Sequence, residues 1–308
     1  MTAAAGQPLR GTRPLQAIAL TIAAGACFAA LDTATKYVGA SVTLAMALWS
    51  RYLLQALATA AVMLPRQGRA LLRTRRPGLQ VLRGVLLLAC SMCAFVSFRR
   101  MPVGDVTAIG LLTPIVVTVI AVLALGERLS PLRFACVVGG FVGALIVIRP
   151  GGAMFGWVIL MPLGMVATNT AFQIITGMLA GVDDAGTTHF YTGCVGAAVA
   201  TLLLPFGWQT IREPWIWGML LLLGVFSTLG HFLLIVAYQR APATTVTPFL
   251  YGQIGFAVFG GWLVFSHRPD RWSFSGIALI AVSGALGTWL AARAKHDAEA
   301  LAAQPVTP

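Results

Sequence analysis

Nine of the polar side chains inside the long apolar runs of this sequence stand out as needing a partner or a wet surface. Arg51 is the clearest, set deep in the run 42–64. A charge at a bilayer centre costs at least about 2.5–3.5 kcal/mol, so an arginine at that depth requires a reason. Its guanidinium either binds an anionic or aromatic ligand group or pairs with an acid on a neighbouring helix. Asp32, in the run 15–37, is the natural acid, and Lys36 one helical turn on competes for it. Lys36 itself stands near the end of its run, as a snorkelling anchor does. Asp32 is also the acid a proton-coupled cycle would use, because desolvation and nearby cations pull its proton affinity in opposite directions.

The other seven are hydrogen-bonding or titratable groups. Thr113 lies at the middle of 103–125, between Gly110 and Pro114; the proline lacks an amide donor and leaves the Gly110 carbonyl unclaimed, so a bend is expected there. Tyr251 and Gln253 stand mid-run in 243–265, and a wet cavity or a helix-to-helix hydrogen bond would satisfy them. Asn169 and Gln173, one turn apart in 155–179, share a helical face. Tyr191 in 186–206 is the counterpart of Arg51 under the internal repeat described below. His231 in 214–237 is a proton carrier or a satisfied bundle residue. All nine are candidate lining of one central cavity.

Cysteine and metal chemistry are weakly represented. Cys27, Cys90, Cys93, Cys136 and Cys194 all fall in apolar runs, where cysteine acts as a small hydrophobe. The Cys90–Cys93 spacing lacks the strand-to-helix context of a redox motif. There is no zinc-ligand spacing and no nucleotide-binding motif, so the expectation is no metal, no cofactor and no ATP-driven step in this chain. A membrane-embedded enzyme would need acids, histidines or serines converging at one membrane face; the inner connections offer only Glu127, Asp183 and Asp184.

The elements that must position these groups follow from composition. Of 308 residues, 58% are apolar and 10% charged, with a mean hydropathy of +0.85. A soluble surface of this size needs far more charge, and disorder needs far less hydrophobicity, so the chain is an integral membrane protein. The net charge of +12 does not indicate nucleic acid. The basic residues cluster in short connections such as Arg66, Arg69, Arg73, Arg75 and Arg76, where topology alone places them. A spanning helix needs about 20 apolar residues. Ten runs qualify: 15–37, 42–64, 79–98, 103–125, 131–149, 155–179, 186–206, 214–237, 243–265 and 273–292. With a cytoplasmic N-terminus, thirteen Lys and Arg fall inside and seven outside, which sets both termini, the tails 1–14 and 293–308, in the cytoplasm. The first run is too long for a signal peptide and is read as a retained helix.

The chain also repeats itself. A shift of 140 residues aligns Phe98-Arg99-Arg100-Met101-Pro102 with Tyr238-Gln239-Arg240-Ala241-Pro242, and Phe134 with Phe274. One further residue of slip aligns Gly143-Ala144-Leu145 with Gly284-Ala285-Leu286. Two copies of five helices imply an inverted repeat, since an odd number of crossings starts the second copy from the opposite side. That architecture belongs to secondary transporters, with the substrate near the midplane between halves.

Four stretches resemble the drug/metabolite transporter superfamily, in its EamA-type ten-helix branch: Phe28-Ala29-Ala30-Leu31-Asp32 with Lys36, Trp49-Ser50-Arg51, Pro102 with Thr113-Pro114, and Gly126-Glu127-Arg128-Leu129. The resemblance implies an all-α membrane fold of two EamA repeats, 15–149 and 155–292, and a bacterial inner-membrane location. It also implies carriage of a small organic metabolite by alternating access, driven by a proton or substrate gradient. The breadth of the family points to export of an amino acid-like or aromatic compound. The first two stretches also resemble members that import riboflavin. His267 stands where a second Gly-Glu glutamate would be, a departure from the pattern.

Overall fold

The computed structural model describes residues 14–125, 131–148, 157–179, 182–240, 246 and 249–302. The Gly126-Glu127-Arg128-Leu129 segment, residues 1–13 and residues 303–308 lie outside the described residues. Eleven α-helices and two 3-10 turns are described, with no strand among them. They are α1 (Pro14–Val38), α2 (Leu44–Gln67), α3 (Pro77–Arg100), α4 (Val103–Gly110), α5 (Thr113–Leu125), α6 (Pro131–Ile148), α7 (Leu160–Leu179), α8 (Ala185–Gly207), α9 (Pro214–Arg240), α10 (Gln253–Phe265) and α11 (Arg271–Ala302).

Seven helical segments are long and apolar enough to cross a membrane, and Val103–Val117, Phe134–Ile148 and Gln253–Phe265 are shorter apolar helices. Large apolar side chains such as Leu57, Phe141, Phe206, Leu221 and Phe259 are exposed. A soluble protein buries such groups; here a bilayer covers them. Tryptophans decorate the helix ends, and Arg100, Arg271 and Arg293 each lie over one, as interfacial belts do.

Packing follows the two halves. α1 packs on α9 as α7 packs on α3, and α2 packs on α9 as α8 packs on α3. α1 meets α10 as α7 meets α4 and α5. Two further pairs join the halves directly, α2 with α8 and α6 with α11. Both are antiparallel. At one end of the first pair the Thr43 hydroxyl donates to the Gly207 carbonyl (2.5 Å); at the other, Gln67 Nε2 donates to Asp184 Oδ1 (2.9 Å). In the second pair, a methyl on Gly139 would run into Ser283 Oγ, and one on Gly143 would come 2.8 Å from the Gly276 carbonyl. The small-residue spacings of those two helices therefore serve close backbone approach.

The bend expected between Gly110 and Pro114 is a break. α4 stops at Gly110, Leu111 and Leu112 form a turn, and α5 starts at Thr113. The Thr113 hydroxyl takes the Gly110 carbonyl (2.7 Å), and Pro114 occupies the first turn of α5, where a missing amide hydrogen costs nothing. The same interruption recurs 140 residues on, where Tyr251 and Gly252 form a turn ahead of α10. Pro248, a few residues ahead of that turn, lies outside the described residues.

Candidate functional site

Two of the expected residues meet at the second break. Gln253, the first residue of α10, donates from Nε2 to Asp32 Oδ2 (3.1 Å), and Thr107 of α4 donates its hydroxyl to the same oxygen (3.0 Å). At the first break, Asn169 of α7 donates from Nδ2 to Thr113 Oγ1 (3.3 Å). Gln173, a turn further along α7, takes no part in that contact and is exposed, a correction to its place among the cavity candidates.

Arg51 is not bonded to Asp32. Its Nε donates to Ser227 Oγ of α9 (2.9 Å), and its guanidinium lies over the Tyr52 ring, 5.3 Å from the centroid. The Ser227 carbonyl accepts from His231 Nδ1 (2.8 Å), so one serine holds both the cation and the imidazole. Tyr52 is fixed in turn by Ser91 (2.7 Å). The Arg51 charge acts on Asp32, Cys90 and His231, which puts all three within electrostatic reach of it. Of the Arg51 guanidinium only Nε is hydrogen-bonded among the described residues, and its remaining N–H groups suit an anionic or carbonyl-bearing ligand. Lys36 does not compete for Asp32 either: its Nζ donates to the Phe98 and Met101 carbonyls (2.8 and 2.7 Å) and caps the C-terminal end of α3.

Two further expectations need correction. Tyr191 is not with this group, since its hydroxyl donates to the Leu72 carbonyl (2.9 Å) in the turn after α2. Two residues along a helix is about 200° of rotation, and His189, not Tyr191, holds the inward face of α8. Tyr251 is only 4% exposed, and its ring fills the space left by Gly284 on α11. It faces the neighbouring helix rather than the Asp32 group.

Two functional-looking residues are missing from the candidates that the sequence offers. Arg83, counted among the inner basic residues, is 5% exposed within α3. Its Nε donates to Thr176 (2.7 Å), its Nη1 to the Thr188 carbonyl (3.2 Å) and to the Thr192 hydroxyl, and its plane stacks on Phe172. Its place inside the run 79–98 is the one signal that marks it. His189, buried between α2 and α9, is the other. It opens α8 and reads as a helix-start residue until its neighbours are known.

At the end of the molecule where α2 finishes, Asp183 ties the two halves. It accepts from the Thr74 hydroxyl, from the Arg75 amide (3.0 Å) and from Gln80 Nε2 (2.9 Å). Burial works to raise its pKa, but these donors and the Arg75 charge outweigh it and hold the carboxyl below its ordinary value. No cluster of three or more metal-ligating side chains occurs among the described residues.

Helices broken at matching positions, with polar groups gathered between two packed halves, define a membrane transporter of the repeat type. The model of the EamA-like transporter family matches residues 15–149 and again 155–289, and the chain belongs to that family. Among its relatives, a riboflavin transporter of Brucella anthropi is 28% identical, the match covering 84% of this chain and 93% of that one. A riboflavin transporter of Rhizobium johnstonii is 30% identical over 70% and 72% of the two chains. The pseudopaline exporter CntI of Pseudomonas aeruginosa is 29% identical over 73% and 76%. A solved crystal structure superposes with a TM-score of 0.68, covering 90% of this chain and 98% of the other at 17% identity, a likeness of fold alone.

Proposed function

We propose that the chain is a secondary carrier of ten membrane crossings, in which two inverted five-helix halves rock about a solute held near Arg51 and Asp32. One observation carries this reading: both halves break a helix at the same place, and each break is held by a polar side chain of the opposite half. The antiparallel pairing of α2 with α8 and of α6 with α11 supports the inversion. The solute is small and organic, with an anionic or carbonyl-bearing edge for Arg51 and a ring or apolar face for the half-buried Phe28. Riboflavin, named for two of the relatives, suits that pattern and is the preferred candidate. Outward carriage of another metabolite is the second reading, favoured by the pseudopaline exporter among the relatives. In either case the solute moves down its own gradient by uniport or exchange, and both termini face the cytoplasm.

The test is flux together with sidedness. Purified protein in liposomes takes up labelled riboflavin faster than empty liposomes do. In intact cells a thiol introduced at 207–213 reacts with an impermeant reagent, and one introduced at 66–76 does not. Absence of flux across a panel of vitamins, amino acids and aromatic metabolites contradicts the carrier reading. The reverse labelling pattern contradicts the orientation.

A further inference from the structure

Between α2, α8 and α9, at the end where α2 finishes and α8 begins, lies a space of about 250 Å³. A water occupies about 30 Å³ of liquid, so the space holds several waters or a small ring. One wall is apolar, with Met63, Phe232 and Val236; the other carries Thr59, Asp184 and His189. It is separate from the Asp32 and Thr113 contacts at the helix breaks.

His189 closes its inner side in a defined state. The Thr59 hydroxyl donates to the Gln55 carbonyl (2.7 Å), so toward the ring it can only accept, and His189 Nδ1–H is the donor (2.8 Å). That leaves Nε2 facing the Gln55 side-chain amide (3.4 Å). Next to it stands His231, with ring centroids 6.4 Å apart, itself packed edge-on against Phe28 at 5.0 Å. Beyond His231 is Ser227, which holds Arg51. Gln55 Oε1 is buried beside His189 with no hydrogen-bond partner among the described residues. A buried orphan acceptor is a cost that an arriving donor removes.

We propose that this space is the inner half of the solute path and that the His189–His231 ring pair is the barrier between it and Arg51. The inference rests on the carrier reading and adds the route and the gate to it. An amphipathic solute entering from this side lays its apolar face on Met63, Phe232 and Val236. Its N–H or O–H edge reaches Gln55 Oε1 when the rings part. The polar groups that follow one another inward from the outer half are then Asp32, Arg51, His231, His189 and Asp184.

Thiol accessibility tests this without any solute. The four other native cysteines are replaced, and Cys90, the chain neighbour of the Ser91 that holds Tyr52, is kept as the reporter beyond the rings. A charged methanethiosulfonate is applied to sealed vesicles of each orientation. Met63→Cys and Val236→Cys are expected to react only from the side that carries the N-terminus, while Cys90 is protected from that side. Replacing His231 with Ala is expected to speed Cys90 labelling from that side about tenfold, as when a minor open state of at most ~10% becomes dominant. Met63→Cys labelling in the same variant reports whether the fold survives, and His189→Ala is the second variant. Unreactive thiols at 63 and 236, reaction from the opposite side, or Cys90 labelling unchanged in both folded variants overturns the proposal. Flux that persists with the wrong labelling pattern sinks the route alone; the right pattern without flux sinks the carrier reading.

Discussion

Asp32 of α1 accepts a hydrogen bond from Gln253 of α10, and Asn169 of α7 makes the matching contact to Thr113 of α5. Thr113 and Gln253 are 140 residues apart, and each is the first residue of a helix restarted after a break. The two contacts cross between the halves in opposite senses. They differ in chemistry, because one acceptor is a carboxylate and the other a hydroxyl. The two breaks are thus alike in position and differ in charge.

Replacing Asp32 with Leu strips both Thr107 and Gln253 of their acceptor. Each donor left unpaired costs about 1–3 kcal/mol, so the variant should melt lower in detergent and lose transport. Asp32→Asn keeps an acceptor oxygen and should stay folded while transport falls. A Leu variant with unchanged melting temperature and flux would remove Asp32 from the site.

Arg51→Ala should abolish transport and leave the protein inserted, because its direct partner is a serine and not a carboxylate. Changing Asp32 to Ala as well should not restore transport, since neither residue is the other's hydrogen-bond partner. Rescue in the double variant, measured by flux and by monodisperse yield, would show that a structural ion pair outweighs the Ser227 contact.

Much of this architecture is legible in the amino-acid sequence, for identifiable reasons. Hydropathy marks apolar runs whatever their neighbours, and Pro114 and Gly110 announce an interrupted helix by their backbone chemistry. The direction each helix faces is harder to read. Lipid and protein interior are both apolar, so amphipathic periodicity fades, and nothing in the run around Tyr191 says that His189 takes the inward face. Arg83 reads as part of the inner connections because charge near a run's end is ordinarily topological. Its threonine partners come from 93 to 109 residues away and leave no local trace. The Asp32–Arg51 pairing fails similarly, since Ser227 competes for the arginine from a helix 176 positions on.

Gly284 on α11 should not tolerate a side chain. A methyl there would collide with the Tyr251 ring, and overpacking of this kind costs about 1–3 kcal/mol. Gly284→Ala should lower the melting temperature, and adding Tyr251→Leu should recover part of the loss. Additive losses in the pair would mean that the ring and the glycine do not share this space.

Asp183 makes stability depend on pH. Its folded pKa lies below its ordinary value, so it stabilises the fold fully above the ordinary carboxylate range and loses that contribution as pH falls through the folded value. Thermal melts from pH 7 down to about pH 3 should show a decline that is shallower in Asp183→Asn, with the variant already less stable at pH 7. Parallel curves for the two proteins would show that the Thr74, Arg75 and Gln80 contacts contribute no linkage.

The central claim, a carrier cycling about Arg51 without an imposed ion gradient, is tested most directly by counterflow. Liposomes containing the purified protein are loaded with unlabelled riboflavin, diluted into a trace of the labelled compound, and held at one pH on both sides with protonophore present. The account predicts a transient accumulation of label in the parental protein and none with Arg51→Ala. Equal accumulation in the two proteins, or accumulation in the parental protein only under a proton gradient and lost in Asp32→Asn, would contradict it.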